Sequence, residues 1–503
     1  MTTAAAPLLD PASPPPLGKR AARGAAWIGL SFGVTRVVSL VNSVVLARLL
    51  VPADFGIVAM ASLMLAFVGP FQDSGLEQAF IAKTDRVREA AATIAWTTPV
   101  TGVLVYVVAA ASAPLVAWLF RTPAVVPVVH VLALNFVLRG LAIAPMGILS
   151  KELAFRAKAM VAIASAVADL GVGVGLALAG AGYWSLVGAQ LAATAVAGAA
   201  AWVLAPWRPR GRFSFARLRE MAPFGRHMVA GNFLGFLGSY LDNITVGRTL
   251  GSEALGLYGV AFKWGQLPPQ ALSATVTQVA FPSFVAVRGD AGRFRAAYLR
   301  VVRTVSSISL PASLGLWVIA PALIHTLYPA RWNGMIAPLR IFAFFGLVNA
   351  IVGTTGDVFK AANRPGWIPG LAIVHFPVLV LALWLLIGYG PSGAATALLL
   401  AALASGSVAI PAALHLLGVS LGDFLATLAP QAIAAVAMAG VLHVVARALA
   451  DAPAAVTLVT LAVAGVATYA VALFLCGRDT FEALVTTVRD ALPARPRSAT
   501  RAV

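Results

Sequence analysis

The chain has 503 residues, of which 60% are hydrophobic and only 11% are charged, and its mean hydropathy is +0.89. A soluble domain is about half apolar and about a quarter charged, so this composition excludes a soluble protein and indicates an integral membrane protein. The net charge of +18 does not indicate nucleic-acid binding, because the basic residues fall between apolar segments and not on one polar face. The single cysteine, Cys476, excludes a disulfide framework and a cysteine metal site.

Long apolar windows recur along almost the whole chain. A transmembrane helix needs about 20 largely apolar residues. The windows predict an all-α integral membrane protein with about 14 transmembrane helices. They lie at 27–48, 56–80, 93–119, 126–149, 159–180, 184–206, 222–247, 255–285, 302–327, 335–359, 366–388, 392–417, 425–449 and 454–476.

The distribution of Lys and Arg predicts the orientation, because positively charged loops stay on the cytosolic side. With the N-terminus inside, the loops that are then cytosolic hold most of the basic residues, including those of 207–221 and 478–503. Both termini are therefore expected in the cytosol. The opposite side holds few basic residues, which are Arg48, Arg121, Arg248, Arg331, Arg340 and Arg447.

Two stretches of the chain match each other at an offset of 200 residues. LARLLVPADFGIVAMA at 46–61 aligns without a gap with VGRTLGSEALGLYGVA at 246–261, and further matches follow at offsets of 200 and 209. The pattern favours an internal duplication, with two parallel six-helix lobes around a central cavity and an appended helix pair. The aligned pairs are Arg48 with Arg248, Gly56 with Gly256, Gln78 with Gln278 and Lys151 with Lys360.

This duplication predicts six regions along the chain. They are a disordered cytosolic tail (1–23), an N-terminal six-helix lobe (24–206), a basic cytosolic linker (207–221), a C-terminal six-helix lobe (222–417), helices 13 and 14 (418–477) and a basic cytosolic tail (478–503).

Each matching stretch is interpreted as the outer hairpin of one lobe. In the first, Arg48 ends a span, residues 51–54 form a short turn, and Gly56 starts the next helix, where backbones must pass closely. We expect Arg48 and Arg248 to be interface anchors or gate residues, and the contacts with the cargo to lie deeper in the membrane.

Ionisable residues inside the apolar windows are concentrated in the first ten spans. Each costs about 2.5 kcal/mol or more at membrane depth, so we expect these side chains to face the bundle interior or a water-filled cavity. Helices 11 to 14 contain almost none, which places the working cavity in the first twelve helices and makes the last two lipid-facing or accessory. The residues concerned are Arg36, Asp73, Glu77, Arg139, Asp169, Asp242, Lys263 and Asp357.

Two chemistries are open for these residues. Arg36, Arg139 and Lys263 suit an anionic cargo, since guanidinium and ammonium groups bind phosphate. The carboxylates suit a coupling proton or sodium ion instead, and for Asp242 a structural pairing with Arg248 is an equal alternative. One face of helix 8 is favoured as a cavity lining because polar residues recur on it at steps of three or four: Lys263, Gln266, Gln270, Ser273 and Thr277.

Several motifs together resemble one family of membrane transporters. They are LARLLVPADFGIVAMA (46–61), FQDSGLEQAFIAK (71–83), KELAFRAKAM (151–160), GAGYWSLVGAQ (180–190), YLDNITVGRTLG (240–251), LGLYGVAFKWGQLP (255–268) and VAFPSF (279–284). From about residue 20 to 420 the chain resembles the Wzx-type polysaccharide flippases, in the polysaccharide transporter branch of the multidrug/oligosaccharidyl-lipid/polysaccharide exporter superfamily.

The resemblance implies a bacterial inner-membrane flippase that moves an undecaprenyl-pyrophosphate-linked oligosaccharide to the periplasmic leaflet by alternating access. Its product would supply O-antigen, capsule or exopolysaccharide biosynthesis, with a polysaccharide polymerase and a chain-length regulator as partners. In the related lipid II flippases, cavity arginines bind the pyrophosphate, and Arg36 and Lys263 are the counterparts by position. The resemblance implies neither a cofactor nor a metal, beyond coupling to protons or sodium.

Two other classes of function remain to be weighed. A drug/cation antiporter of the same superfamily would depend on the carboxylates and not on the arginines. A membrane glycosyltransferase or polymerase would need a large extracytoplasmic catalytic loop, whereas the loops here are short. The serine-hydrolase pattern GVSLG at 418–422 falls in a short loop between two apolar windows, so no catalytic residue is predicted.

Overall fold

A computed structural model describes residues 17–73, 87–208, 215–267, 280–364 and 366–482. Within these ranges every regular element is a helix, which confirms the predicted fold class. The chain divides into two compact units: Met1–Leu46, Val68–Ser112 and Val129–Asn232 form one, and Ala47–Phe67, Ala113–Val128 and Phe233–Val503 form the other. We call them the first and second unit. The second unit thus contains two pieces from the first half of the chain.

The first half of the chain contains seven described helices. Apolar residues dominate each of them, as a helix in lipid requires, because its backbone hydrogen bonds are all made within the helix. A single turn residue, Ser112, separates the third helix from the fourth within one predicted span. The helices are α1 (Leu17–Leu49), α2 (Pro52–Asp73), α3 (Val87–Ala111), α4 (Ala113–Phe120), α5 (Val125–Lys151), α6 (Phe155–Leu178) and α7 (Trp184–Leu204).

The second half begins with the longest helix of the described chain. Residues 280–287 are also helical, and two short 3-10 segments, Ala330–Met335 and Ile387–Tyr389, each connect a pair of later helices. The helices are α8 (Phe215–Gly265), α9 (Ala291–Leu327), α10 (Ile336–Ala361), α11 (Trp367–Leu386), α12 (Gly390–Leu417), α13 (Leu421–Ala448) and α14 (Ala454–Cys476).

Eleven segments of the described chain are long and apolar enough to cross a membrane. One of them, Trp367–Leu417, holds both α11 and α12, while α8 is not among them. The predicted number of fourteen spans and the predicted lobe boundaries therefore stay predictions. Many membrane crossings are found whatever the exact number of spans and the positions of the lobe boundaries.

The two matching stretches break the helix at equivalent positions. In the first, α1 ends at Leu49 and α2 begins at Pro52, whose fixed φ and missing N–H suit the first turn of a helix. In the second, 200 positions later, α8 contains one non-helical residue, Gly251, with φ 85° and ψ −175°. Only glycine adopts this positive φ without strain. This break falls between the predicted seventh and eighth spans.

The last two helices pack against α9. Val318, Met438, Leu442, Leu461 and Leu473 belong to one buried apolar cluster that joins α9, α13 and α14. Polar side chains fix the same contact: Gln431 Nε2 donates to Ser306 Oγ at 2.7 Å, and Tyr469 Oη donates to the Ser307 carbonyl at 2.7 Å. Helices 13 and 14 of the predicted topology are therefore held by specific hydrogen bonds and not by apolar contact alone.

Candidate functional site

The cationic residues expected to bind the cargo lie on three different helices. On α1, the Arg36 guanidinium is half-buried and lies 5.5 Å from the centre of the Phe32 ring. Arg139 is exposed on α5, whereas Lys263 is half-buried near the end of α8. Gln266, directly after α8, is buried. Gln270 lies outside the described residues, as do Ser273 and Thr277 of the same predicted stripe.

The predicted carboxylates of α2 and α10 have different surroundings. Asp73 is the last residue of α2, and only its backbone is described. Glu77 lies outside the described residues. On α10, Asp357 is buried and forms an ion pair with Lys360 at 3.3 Å, one turn further along the helix. This pair neutralises the charge of Asp357 locally, which favours a structural role for it.

Asp242 is buried in the second unit, with 2% of its surface exposed. Tyr258 Oη donates to its Oδ2 at 2.5 Å, and Asn243 Nδ2 donates to its Oδ1 at 3.1 Å. The alternative considered from the sequence, a pairing with Arg248, is not the arrangement found, because Arg248 binds a backbone carbonyl elsewhere. Tyr258 joins the two segments of α8 that flank Gly251, so this contact stabilises the bend.

Asp169 lies in a polar cavity inside the first unit. The cavity has a volume of about 730 Å³ and is lined by α1, α5, α6 and α7. Asn42 Nδ2 donates to Asp169 Oδ2 at 2.7 Å, and Asn42 Oδ1 is buried without a hydrogen-bond partner among the described residues. Hydroxyl groups also line the cavity, from Ser31, Thr35, Ser39 and Ser165. The lining thus combines one carboxylate and several hydroxyl oxygens, which can bind a small cation or a proton, with the basic side chain of Lys158 and many apolar residues.

The two matching hairpins interlock within the second unit. A Cβ atom on Gly56 would lie 1.8 Å from the Ser252 carbonyl oxygen, and a Cβ atom on Gly256 would lie 1.9 Å from the Pro52 carbonyl oxygen. The contact is reciprocal, because each glycine of one hairpin faces the turn of the other at the same offset of 200 residues. The close approach expected at Gly56 is confirmed, and its partner is the second hairpin. We call this contact the hairpin seam.

Two arginines beside the seam bind other helices in a crossed pattern. Arg48 donates from Nε to the Leu327 carbonyl at 3.0 Å and from Nη2 to the Thr326 carbonyl at 2.9 Å. Arg248 donates from Nη1 to the Trp118 carbonyl at 3.0 Å, and its guanidinium lies 5.6 Å from the Trp118 ring centre. Each arginine thus binds the final turn of a helix from the opposite half of the sequence, α9 or α4.

These contacts have a common physical basis. The last carbonyls of a helix lack partners within the helix and carry partial negative charge, so basic side chains bind them favourably. The end of α1 is bound in the same way, since Arg331 Nη2 donates to the Arg48 carbonyl at 2.7 Å and Trp332 Nε1 donates to the Ala47 carbonyl at 2.9 Å. Arg48 and Arg248 therefore bind helix ends beside the seam; their expected roles as anchors at the membrane boundary or as gate residues stay predictions.

A second cavity, in the second unit, was not anticipated from the sequence. It has a volume of about 760 Å³ and lies between α9, α13, α14 and the end of α8. Its lining is almost entirely apolar, and the hydroxyl of Tyr469 is already bound to the Ser307 carbonyl. Trp264 Nε1 is likewise bound, to Tyr328 Oη at 2.7 Å. We call it the apolar cavity. A site of this kind stays dry and accepts hydrocarbon.

Sequence reasoning missed this cavity because it used charge to locate the working parts. Helices 13 and 14 carry few charges and were therefore expected to be lipid-facing or accessory. The signal that could have located the contact is the run of small polar residues on α9, which includes Ser306, Ser307, Ser309 and Ser313, opposite Gln431 of α13.

Comparisons with known proteins agree with this architecture. Residues 45–337 match the family model described as "Polysaccharide biosynthesis protein". Teichuronic acid biosynthesis protein TuaB of Bacillus subtilis is 24% identical over 372 residues, 72% of this chain and 76% of that protein. Lipopolysaccharide biosynthesis protein WzxC of Escherichia coli is 24% identical over 359 residues, 69% of this chain and 71% of that protein.

A solved structure of the lipid II flippase MurJ, in an inward closed conformation, is similar in fold. The TM-score is 0.72 over 90% of this chain and 98% of that chain, at 12% sequence identity. The family match spans more than half of the chain, from the last turn of α1 to the start of α10, and contains the whole hairpin seam. The chain therefore belongs to the polysaccharide biosynthesis protein family, as a Wzx-type polysaccharide transporter of the bacterial membrane.

Proposed function

We propose that this protein is a flippase that carries a polyprenyl-pyrophosphate-linked oligosaccharide from the cytosolic to the periplasmic leaflet of the bacterial inner membrane. The product serves the assembly of O-antigen, capsule or exopolysaccharide. Membership of the family and the names of TuaB and WzxC support a non-catalytic role in polysaccharide biosynthesis. They do not favour the drug/cation antiporter. The apolar cavity is the observation that supports a lipid-linked cargo.

The apolar cavity suits the polyprenyl chain. Its polar groups are bonded among themselves, so that a hydrocarbon inside it leaves no donor or acceptor unsatisfied. Transfer from water would be worth about 0.8 kcal/mol for each buried CH₂ group. In a bilayer the polyprenyl chain is already out of water. The gain in binding free energy then comes from closer packing and is smaller. The cavity then selects the cargo by the shape of its lipid.

The charged end of the cargo needs cations at membrane depth. Arg36, Arg139 and Lys263 are the residues proposed to bind its pyrophosphate, with Gln266 and Gln270 as hydrogen-bond donors. The ring of Phe32 beside Arg36 holds that guanidinium against the helix and restricts its rotamers. A restricted arginine loses less entropy when it binds an anion.

Coupling to an ion gradient is proposed for the polar cavity of the first unit. Asp169 would bind a proton or a sodium ion, and the unpartnered Asn42 Oδ1 beside it would supply a further oxygen. Asp73 and Glu77 are second candidates, on sequence grounds alone. Asp242 and Asp357 are assigned to structure, because Asp242 joins the two segments of α8 through Tyr258 and Asp357 is paired with the basic Lys360.

The hairpin seam is proposed as the periplasmic gate of an alternating-access cycle. The positive-inside rule supports this orientation, since it places both termini in the cytosol and the seam on the opposite side. Arg48 and Arg248 bind the ends of α9 and α4 in the closed state, so the gate opens only when these bonds exchange for water. Exposed bonds of this kind are individually weak, which permits opening on the timescale of transport.

The proposed test uses the apolar cavity. In a strain that lacks the gene, the wild-type chain should restore surface polysaccharide and remove the lipid-linked repeat unit that accumulates on the cytosolic side. Ala462 lines the apolar cavity, whereas its neighbour Val463 does not and is 65% exposed. Ala462→Phe should therefore fail to restore export, and the matched control Val463→Phe should restore it.

Two outcomes would overturn this assignment. If deletion causes neither loss of polysaccharide nor accumulation of its lipid-linked unit, the protein is not the flippase of that pathway. If Ala462→Phe exports as well as Val463→Phe, the apolar cavity does not hold the polyprenyl chain. A polysaccharide polymerase and a chain-length regulator are the proposed partners, since the repeat units must be joined after transport.

A further inference from the structure

A third cavity, in the second unit, is lined by basic side chains. It has a volume of about 460 Å³ and lies between the ends of α9 and α13 and the beginnings of α10 and α14. Four of its lining residues are His325, Arg340, His443 and Arg447, and its apolar lining includes Leu461. We call it the basic cleft. It is separate from the apolar cavity and from the hairpin seam, with which it shares no lining or bonding residue.

The cleft concentrates positive charge on the side of the protein where basic residues are rare. Six arginines are predicted on that side. Three of them, Arg48, Arg248 and Arg331, have carbonyl partners at the hairpin seam. Two of the remaining three, Arg340 and Arg447, line this one cleft together with two of the six histidines of the chain. Positive-inside topology gives no reason for such a cluster.

Helix ends account for only part of this charge. His325 and Arg447 lie in the last turns of α9 and α13, where a basic side chain is favoured by the negative end of the helix dipole. Arg340 lies near the beginning of α10, where the dipole disfavours a positive charge. A dipole effect therefore does not explain why Arg340 is in the cleft.

Arg340 is held in place by two contacts. Its Nε donates to the Trp317 carbonyl at 3.1 Å, and its guanidinium lies 5.5 Å from the centre of the Trp317 ring. The structure gives its two Nη groups no acceptor among the described residues. Asp451, in the turn between α13 and α14, lies between the lining residues Ala450 and Ala452 but is not itself part of the lining. Fixed, unneutralised N–H groups of this kind bind phosphate oxygens.

We propose that the basic cleft binds the phosphate group of an anionic lipid. The helices that form it end within one or two turns of these residues, which is the depth at which lipid headgroups lie. Arg340 and Arg447 would bind the phosphate, the histidines would donate further hydrogen bonds, and the apolar part of the lining would contact the first carbons of the lipid chains. The occupant holds α13 and α14 against α9 and α10. The inference does not depend on the proposed flippase function.

The test measures lipid-dependent stability of the purified full-length protein in detergent. Phosphatidylglycerol should raise the melting temperature of the wild-type protein and of the control Arg121→Gln, an arginine of the same side that does not line the cleft. In Arg340→Gln/Arg447→Gln the shift should fall by more than half. Phosphatidylcholine, which has no net charge, should produce no difference between the proteins.

A parallel titration with undecaprenyl pyrophosphate distinguishes the source of the phosphate. Loss of only the phosphatidylglycerol effect assigns the cleft to a bilayer lipid, and loss of only the undecaprenyl pyrophosphate effect assigns it to the cargo. Equal shifts in all proteins with both lipids would overturn the proposal. Because Arg340→Gln also removes the bond to Trp317, the variant His443→Gln/Arg447→Gln is measured in parallel and should lose part of the same shift.

Discussion

Two glycines of one helix provide a matched test of the hairpin seam. Gly256 and Gly259 are one turn apart on α8, and both are helical. A Cβ atom on Gly256 would lie 1.9 Å from the Pro52 carbonyl oxygen, whereas a Cβ atom on Gly259 meets nothing within 4 Å. Gly256→Ala should therefore open the seam, and Gly259→Ala should leave it closed.

The magnitude follows from the geometry. An ordinary contact begins near 3.4 Å, so alanine at 256 requires the two hairpins to separate by about 1.5 Å, the difference from 1.9 Å. Overpacking of this kind costs about 1–3 kcal/mol. The gain in helix propensity from Gly to Ala, about 1 kcal/mol, is the same for both variants and cancels in the comparison. The ratio of closed to open protein should thus fall by about 5- to 150-fold.

The assay measures cysteine labelling by a reagent added on the side of the membrane where the seam is proposed to lie. Leu50, which is 3% exposed beside the turn of the first hairpin, is replaced by cysteine in a Cys476→Ser background. A membrane-impermeant maleimide should label this cysteine faster in Gly256→Ala than in Gly259→Ala, at equal amounts of folded protein. By symmetry Gly56→Ala should act like Gly256→Ala, since its Cβ would lie 1.8 Å from the Ser252 carbonyl oxygen. Equal labelling rates in all variants would refute the reasoning.

Three further predictions concern charged residues. Arg48→Gln and Arg248→Gln each remove exposed bonds to helix-end carbonyls that are worth about 1 kcal/mol or less. Each single variant should therefore modestly speed labelling of the cysteine at position 50, and the double variant should speed it more. An unchanged labelling rate in the double variant would contradict the crossed anchoring. Asp169→Asn should abolish transport driven by an ion gradient and should change the affinity for the cargo by no more than a few-fold relative to the wild-type protein. Gradient-driven flipping by this variant in proteoliposomes would exclude Asp169 as the coupling group. Arg36→Ala and Lys263→Ala should abolish polysaccharide export at normal expression levels, and normal export by both would exclude them as phosphate ligands.

The path of the chain through the membrane was largely predictable, because each helix must be apolar over its own length. Both ends of α7 and α14 and the last residue of α1 agree with the sequence windows to within a few residues, whereas α1 begins at Leu17, about ten residues before its window. Pro52 and Gly251 mark the two helix breaks through local backbone chemistry, which a sequence shows directly. The position of Arg48 and Arg248 at the end of a span predicts that they lie at the membrane boundary.

Pairings between distant residues were not predictable, since many partners are chemically equivalent in a sequence. Asp242 was a plausible partner for Arg248, six residues away, but it binds Tyr258 on the far side of the bend. Asp169 was identified as a buried charge, yet its partner Asn42 has no charge to signal it.

The sequence by itself determined the membrane class, the duplicated hairpins and the family, because these depend on composition and on short motifs that are local in the chain. Only the tertiary structure decided how the copies of the hairpin meet. Each glycine faces the turn of the other copy, and each arginine binds the end of a helix from the opposite half. The bonds go to backbone carbonyls, which every residue has, so no side-chain pattern could identify them. The apolar cavity formed by α9, α13 and α14 likewise depends on which apolar faces pack together, and hydropathy does not distinguish one such face from another.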